Sequence, residues 1–184
     1  MNKHITDTTA ESSTSRTLVY PGSFDPITFG HIDLLHRAVR LFDDVILAVA
    51  AGNPKPNMSA KKTMFSLSER LHLVGQVLAE EGLADKVKVE GFDNLLVDFM
   101  RDQKARFLLR GLRTVTDFEF EFQLASANRL MYPQIETVFL MPDEGFAYIS
   151  SSLVREIAFL KGDVSKFVPK TIATALQAKI TDKK

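Results

Sequence analysis

From Thr17 onward, short β-branched or apolar runs alternate with longer stretches in which apolar residues recur at helical spacing. That alternation constrains the fold more than any other feature of the chain. Leu18–Tyr20 reads as a strand, Ile32, Leu35, Val39 and Phe42 mark one face of a helix, and Val45–Ala51 reads as the next strand. Val87–Val89, Phe107–Leu109 and Thr137–Leu140 continue the series, with helical patterns between them. Strands separated by helices predict an α/β fold with a doubly wound, mainly parallel five-stranded sheet.

Helix starts are legible too. Ser66 with Glu69, and Thr116 with Glu119, both fit the capping-box spacing, in which a side-chain oxygen and a glutamate satisfy N–H groups at a helix start. Phe118-Glu-Phe-Glu-Phe122 alternates with period two, as a strand would. Helix is predicted instead, because a box precedes it and Gln123–Asn128 contains no β-branched residue. Pro169 to Ile180 reads as a closing helix that starts at proline. The opening residues 1–16 are polar and without periodicity, so a disordered tail is expected there, with a single domain over 17–184.

Composition narrows the function. A chain of 184 residues with 45% apolar content can bury a real core. Lysine plus arginine and aspartate plus glutamate both count 23, which gives no electrostatic footprint for nucleic acid or an anionic membrane. Without cysteine there is no disulfide, thiolate metal site or cysteine nucleophile, and the histidines at 4, 31, 36 and 72 have no zinc-binding spacing. The longest apolar run, Val45–Ala51, is far short of the ~18 residues of a membrane span. No apolar core of a signal peptide opens the chain, so a cytoplasmic location is the default expectation.

Three strand-to-helix junctions are chemically unusual, and in open parallel sheets ligands gather at such junctions. After the first strand comes Tyr20-Pro-Gly-Ser-Phe-Asp-Pro-Ile-Thr-Phe-Gly-His31, in which two prolines and two glycines fix a loop and His31 opens a helix. After the fourth, Arg110 and Arg113 flank Gly111-Leu112, a spacing suited to phosphate oxygens. After the fifth, Ile149-Ser-Ser-Ser-Leu-Val-Arg155 offers hydroxyls and free N–H groups at a helix start. Each has an ordinary alternative: a rigid turn, two surface arginines, an N-cap.

Taken in order, these segments, with Asp117-Phe-Glu-Phe-Glu-Phe-Gln-Leu-Ala125 and Asn128, closely resemble the bacterial phosphopantetheine adenylyltransferase family. That family is a branch of the nucleotidylyltransferases with an H-x-G-H or T-x-G-H signature, here Thr28-Phe-Gly-His31. The resemblance implies a Rossmann-like fold and transfer of the adenylyl group of ATP to 4′-phosphopantetheine, giving dephospho-coenzyme A and pyrophosphate. It implies catalytic roles for His31, Lys61 and Arg113, with Ser23, Lys61, Leu96 and Arg110 binding the acceptor. ATP would be held by Ser23, Phe24, His31, Gly111, Leu112, Arg113, Glu121 and the run Phe146, Ala147, Tyr148, Ile149, Ser150, Ser151 and Ser152. Mg²⁺ would arrive mainly through the phosphates, with no protein metal site, and relatives form homohexamers.

The chain departs from the family pattern at Phe29, where asparagine is common, and at Phe146, where tryptophan is frequent. The stretch between Gly52 and Phe65 is several residues longer than usual. Counting back from Met64-Phe65 gives Lys61 as the active-site lysine, and Lys55 is the alternative. A related enzyme with another phosphate acceptor, or a non-catalytic nucleotide-binding protein, are the rival functions. The Arg110–Asn128 block argues against the first, and the intact set of basic residues against the second.

Overall fold

Alternate residues of the central strands enter two different cores, as a strand period of two requires when both faces of a sheet are covered. In the strand Thr17–Gly22 (β1), Leu18 and Tyr20 join one apolar cluster and Val19 the other. In Asp44–Ala50 (β2), Val45, Leu47 and Val49 join the first, Ile46 and Ala48 the second. The computed structural model describes residues 16–52 and 63–181. Between and after these strands run α1 (Phe29–Leu41), α2 (Leu67–Glu80), β3 (Val87–Phe92), α3 (Leu96–Asp102), β4 (Phe107–Gly111), α4 (Val115–Met131), β5 (Glu136–Leu140), α5 (Ser151–Phe159) and α6 (Lys170–Thr181).

The sheet order is β3-β2-β1-β4-β5, and every neighbouring pair is parallel. The doubly wound sheet expected from sequence is therefore present, and wholly parallel. One face is covered by α1, α2, α5 and α6, whose Leu35, Val77, Val154 and Ile172 belong to the first cluster. The other is covered by α3, through Val97, Phe99 and Met100. Helix α4 contributes no buried residue and leaves Phe120 at 60% exposure.

Strand ends differ from the sequence expectation for a physical reason. β1 continues through Pro21 and Gly22, which pair with Ala48 and Val49 of β2. Its ladder with β4 stops at Leu18 and Val19. Pro21 thus stands where the β4 ladder has already ended, so its missing N–H interrupts nothing on that side. The Ser66–Glu69 capping box forms as expected, with Ser66 N–H donating to Glu69 Oε2 at 2.7 Å. The box at Thr116 does not form. The N-cap of α4 is Thr114, whose Oγ1 accepts from Asp117 N–H at 3.1 Å. Asp117 also binds Arg113, and that ion pair favours the earlier start. Pro169 lies just before α6 and supplies its first carbonyl, to Ala173. The expected tail lies outside the described residues except for Arg16, which pairs with Asp43. Among the described residues no helix is long and apolar enough to cross a membrane.

Candidate active site

β1 and β4 are neighbours whose next strands lie on opposite sides, β2 for one and β5 for the other. Ligand crevices in open α/β sheets form at such switch points, beyond the carboxyl ends of the strands. Because the β1–β4 ladder ends at Val19 and Leu108, the two strand ends part. Between them opens a cavity of about 270 Å³, lined by Pro21 and Gly22 from β1, Arg110 and Gly111 from β4, and the first turns of α1 and α5. Gly111 leaves room there for Leu34 of α1, whose Cδ1 would lie 2.7 Å from an added Cβ and would have to shift.

The two helix starts in the crevice, α1 and α5, carry no acidic residue in their first turns, whereas α2 and α4 carry Glu69 and Asp117. Their partial positive ends are thus left to an outside anion. Among the described residues no carboxylate lines the cavity, while His31, Arg110, Arg113 and Arg155 do. A polyanion fits such a wall.

His31 occupies the third position of α1. Its Nδ1 accepts the N–H of Thr28, the N-cap, at 3.0 Å, and Thr28 Oγ1 lies 3.0 Å from the same nitrogen. A nitrogen that accepts a backbone N–H carries no proton, so in the neutral ring the proton sits on Nε2. Phe24 meets the ring edge-on at 5.1 Å, and Tyr20 stands 6.3 Å away. Burial among these groups lowers the imidazole from its ordinary 6.5 to about 4, and the charge of Arg113 pushes the same way. The hydroxyl of Tyr20 is pushed up by burial, against the pull of Arg110 and Arg113.

The sign of the linkage follows. The unfolded chain binds the His31 proton more readily, so the stability associated with the neutral ring is complete above about 6.5 and declines as pH falls toward 4. In a ¹⁵N titration of the free protein His31 should stay neutral, protonated on Nε2, until about pH 4. A midpoint near 6.5 would show that the packing of Phe24 and Tyr20 does not desolvate the ring.

Arg110 donates along one edge of its guanidinium to Glu121 of α4, Nε to Oε2 at 2.6 Å and Nη2 to Oε1 at 2.5 Å. This fork-to-fork pair aims the guanidinium and leaves Nη1 for a ligand. Arg113 pairs more loosely with Asp117, at 3.1 Å, and is more exposed. At α5, Ser150 is the N-cap and accepts from Leu153 N–H, and Ser151 Oγ donates to Pro26 C=O at 2.8 Å. Arg155 donates to the Asp25 carbonyl and lies 3.4 Å from its carboxylate. The β1–α1 loop and α5 are thereby pinned together.

Of the residues expected at a site, Ser23, Phe24, His31, Arg110, Gly111, Arg113, Phe146, Ile149, Ser150, Ser151 and Ser152 line this one cavity. Leu112, Glu121, Ala147 and Tyr148 are not in its lining. The Leu112 N–H is bonded to Leu140 C=O, Glu121 is engaged with Arg110, and the exposed Tyr148 ring packs edge-on against Phe167. Leu96 stands at the start of α3, on the same edge of the sheet but away from the cavity. Lys61 and Lys55 lie outside the described residues. The two departures from the family pattern meet, with the rings of Phe29 and Phe146 at 6.2 Å. An aromatic residue at position 29 gains a packing partner that asparagine would lack.

Sequence reasoning passed over Thr28 and Arg155. A threonine three residues before a helix-start histidine was a legible signal, because that is capping-box spacing with an imidazole in the glutamate position. It also passed over the buried Arg70 of α2, which occupies the apolar stripe that continues through Leu73, Val74, Val77 and Leu78.

Comparisons with known proteins agree with this geometry. The model of the cytidylyltransferase-like family matches residues 19–157. A phosphopantetheine adenylyltransferase of Thioalkalivibrio sulfidiphilus is 54% identical over 162 residues, covering 88% of this chain and 96% of the relative. One of Alkalilimnicola ehrlichii is 57% identical over 158 residues, covering 86% and 87%. Among solved structures, a Plasmodium falciparum nicotinic acid mononucleotide adenylyltransferase complexed with NaAD superposes with a TM-score of 0.64 at 16% identity, over 93% of this chain and 99% of that one. At that identity the structural likeness speaks for the fold. With a switch-point crevice, the threonine-to-histidine signature at its wall and sequence relatives this close over nearly their whole length, the chain belongs to the cytidylyltransferase-like family and, within it, to the phosphopantetheine adenylyltransferases.

Proposed function

We propose that this protein transfers the adenylyl group of ATP to the phosphate of 4′-phosphopantetheine, giving dephospho-coenzyme A and pyrophosphate. The observation that carries the reading is a crevice at the sheet's switch point that no carboxylate lines among the described residues, walled by three arginines, two helix N-termini and a neutral histidine protonated on Nε2. Close sequence relatives of that name support the choice of acceptor. An acceptor panel with ATP and Mg²⁺, read by pyrophosphate release and phosphorus NMR of the product, tests it. Release with nicotinate mononucleotide or glycerol phosphate and none with phosphopantetheine would overturn it.

In this mechanism an oxygen of the acceptor phosphate forms a bond to the α-phosphorus while the bond to the pyrophosphate oxygen breaks. A phosphate monoester is largely dianionic near neutral pH, its second pKa being about 6, so no base is needed to create the nucleophile. The protein's task is to align two polyanions and meet the charge of the crowded transition state. His31 donates Nε2–H to the α-phosphate, its orientation fixed from Nδ1 by Thr28. Arg113 and the first turn of α5 at Ser150–Ser152 hold the ATP phosphates, and Ser23, Phe24, Gly111 and Ile149 shape the pocket around the nucleotide. Arg110, aimed by Glu121, and Lys61 hold the acceptor's phosphate, and Leu96 meets the pantetheine arm further along the sheet edge.

Mg²⁺ fits this pocket as an ion carried by phosphate oxygens and water. Asp33, two residues after His31, accepts the Asp143 N–H and lies beside Arg37, Asp25 is engaged by Met64 N–H, Phe65 N–H and Arg155, and among the described residues no acidic group lines the cavity. When bound, the ion neutralises phosphate charge.

Lys61 precedes Met64 by three residues, a span of at most about 11 Å, and Met64 N–H is fastened to Asp25 beside the crevice. Lys61→Ala should therefore raise the acceptor's KM and lower kcat far more than Lys55→Ala. The reverse ranking would move the role to Lys55. A homohexamer is proposed from the family resemblance, with α4 as a contact surface, since Phe118, Phe120 and Phe122 are 44%, 60% and 56% exposed. Phe120→Glu should lower the mass seen by sedimentation, and an unchanged mass would remove α4 from the interface.

A further inference from the structure

Arg70 is 1% exposed, yet among the described residues no carboxylate lies within ion-pairing distance of it. Its guanidinium instead donates to five main-chain carbonyls: Nη1 to Ser23 and Ala50, both at 2.7 Å, Nη2 to Ala51 at 2.9 Å, and Nε to Phe65 at 3.2 Å and Ser66 at 3.3 Å. Burying a charge is costly, and burial accordingly lowers this guanidinium's pKa, with Asp25 opposing. A leucine would complete the apolar stripe of α2 at a lower desolvation cost, but it would leave those carbonyls without their donor. What Arg70 supplies is a joint between three segments: the β1–α1 loop, the end of β2 and the start of α2.

The most consequential of the five partners is Ser23. Its carbonyl belongs to the peptide that leads into Phe24, whose φ is +44°, in the left-handed region that costs a residue with a side chain about 1–2 kcal/mol. This turn sends the Phe24 ring into the core at 2% exposure, edge-on to His31 at 5.1 Å and to Tyr20 at 5.4 Å. On the other side of Phe24, the Asp25 carboxylate accepts Met64 and Phe65 N–H at 2.8 and 2.9 Å. Phe24 is thus clamped from both neighbours, and its ring is the packing surface of the imidazole. Thr28 fixes which nitrogen of His31 carries the proton, and Phe24 limits where the ring can stand.

We infer that Arg70 is a positioning residue for adenylyl transfer: by holding the Ser23 carbonyl it fixes the left-handed turn at Phe24, and through that ring it fixes the imidazole of His31. It touches neither substrate. The inference rests on the function proposed above for the crevice.

Arg70→Lys keeps the charge, but one ammonium cannot reach carbonyls in three segments. With the fold verified by circular dichroism, this variant should lose about 10- to 100-fold in kcat, the scale of a misplaced catalytic group, with KM for ATP nearly unchanged. Its His31 midpoint should rise from about 4 toward 6.5 as the Phe24 ring loosens its packing on the imidazole. Phe24→Leu retains every Arg70 bond and should move the same two readouts in the same direction. If Arg70→Lys does not fold, a Phe24→Leu variant with native kcat and an unmoved His31 midpoint overturns the inference, because the path from Arg70 to the imidazole runs through that ring. A folded variant with native kcat and an unmoved His31 midpoint overturns the inference. Absence of pyrophosphate release from the unsubstituted protein would overturn the proposed function instead, and the His31 titration, which needs no substrate, would still judge Arg70.

Discussion

His31→Ala should lower kcat by roughly a hundred- to a thousand-fold, as expected when one preorganised donor is removed from a developing charge. ATP affinity should fall much less, because Arg113 and the first turn of α5 remain. The same residue also accepts the Thr28 N–H at the start of α1, so its removal should cost on the order of 1 kcal/mol of stability as well. His31→Gln separates the two roles. Glutamine fits the capping-box position and can accept the Thr28 N–H, but with its oxygen so engaged it does not place a donor where Nε2 stands. It should therefore recover stability and not rate. His36→Ala and His72→Ala are controls, since both lie on helix faces away from the strand ends. Steady-state kinetics, nucleotide-binding calorimetry and thermal melts on the four variants check this. Near-native turnover in His31→Ala would take the histidine out of the mechanism.

Pantetheine without its phosphate should not be adenylylated at a measurable rate, at least about 10⁴-fold below phosphopantetheine. An alcohol would need a base to give up its proton, and the described residues of the crevice supply none: no carboxylate among them lines it, and of the two His31 nitrogens one accepts the Thr28 N–H while the other carries the proton. Raising the pH should not rescue the reaction below about pH 10, because arginine stays charged, Lys61 keeps its proton up to the ordinary lysine range of about 10.4, and the His31 ring is already neutral above about 4. Comparing the two acceptors over a range of pH checks this, and equal turnover would sink in-line attack by the phosphate.

Several features of the site were visible in the chain before any contact was known. Thr28-Phe-Gly-His31 and the serines at 150–152 close the connections that follow β1 and β5, Arg110-Gly-Leu-Arg113 straddles the end of β4, and in a parallel sheet all strands deliver their ends to one edge. Their convergence on a single crevice therefore follows from the fold class. The partners of these groups were less accessible. Nothing local says that Glu121, eleven residues along, takes two nitrogens of Arg110, or that Ser151 donates to Pro26, 125 residues back. The misplaced start of α4 has the same origin. The sequence offered a capping box only at Thr116, and the ion pair from Arg113 to Asp117 favours the cap at Thr114 instead.

By itself the sequence determined the alternation of strands and helices, the parallel sheet and the three loops that meet at its edge, because side-chain periodicity and helix caps depend on residues within a turn or two of each other. The tertiary structure decided the rest: that β1 and β4 part to open the crevice, that Thr28 sets the proton on His31, and that the charge of Arg70 is spent on the backbone of three segments. Those outcomes depend on which groups are desolvated together, and desolvation is a property of packed neighbours that no stretch of chain contains alone.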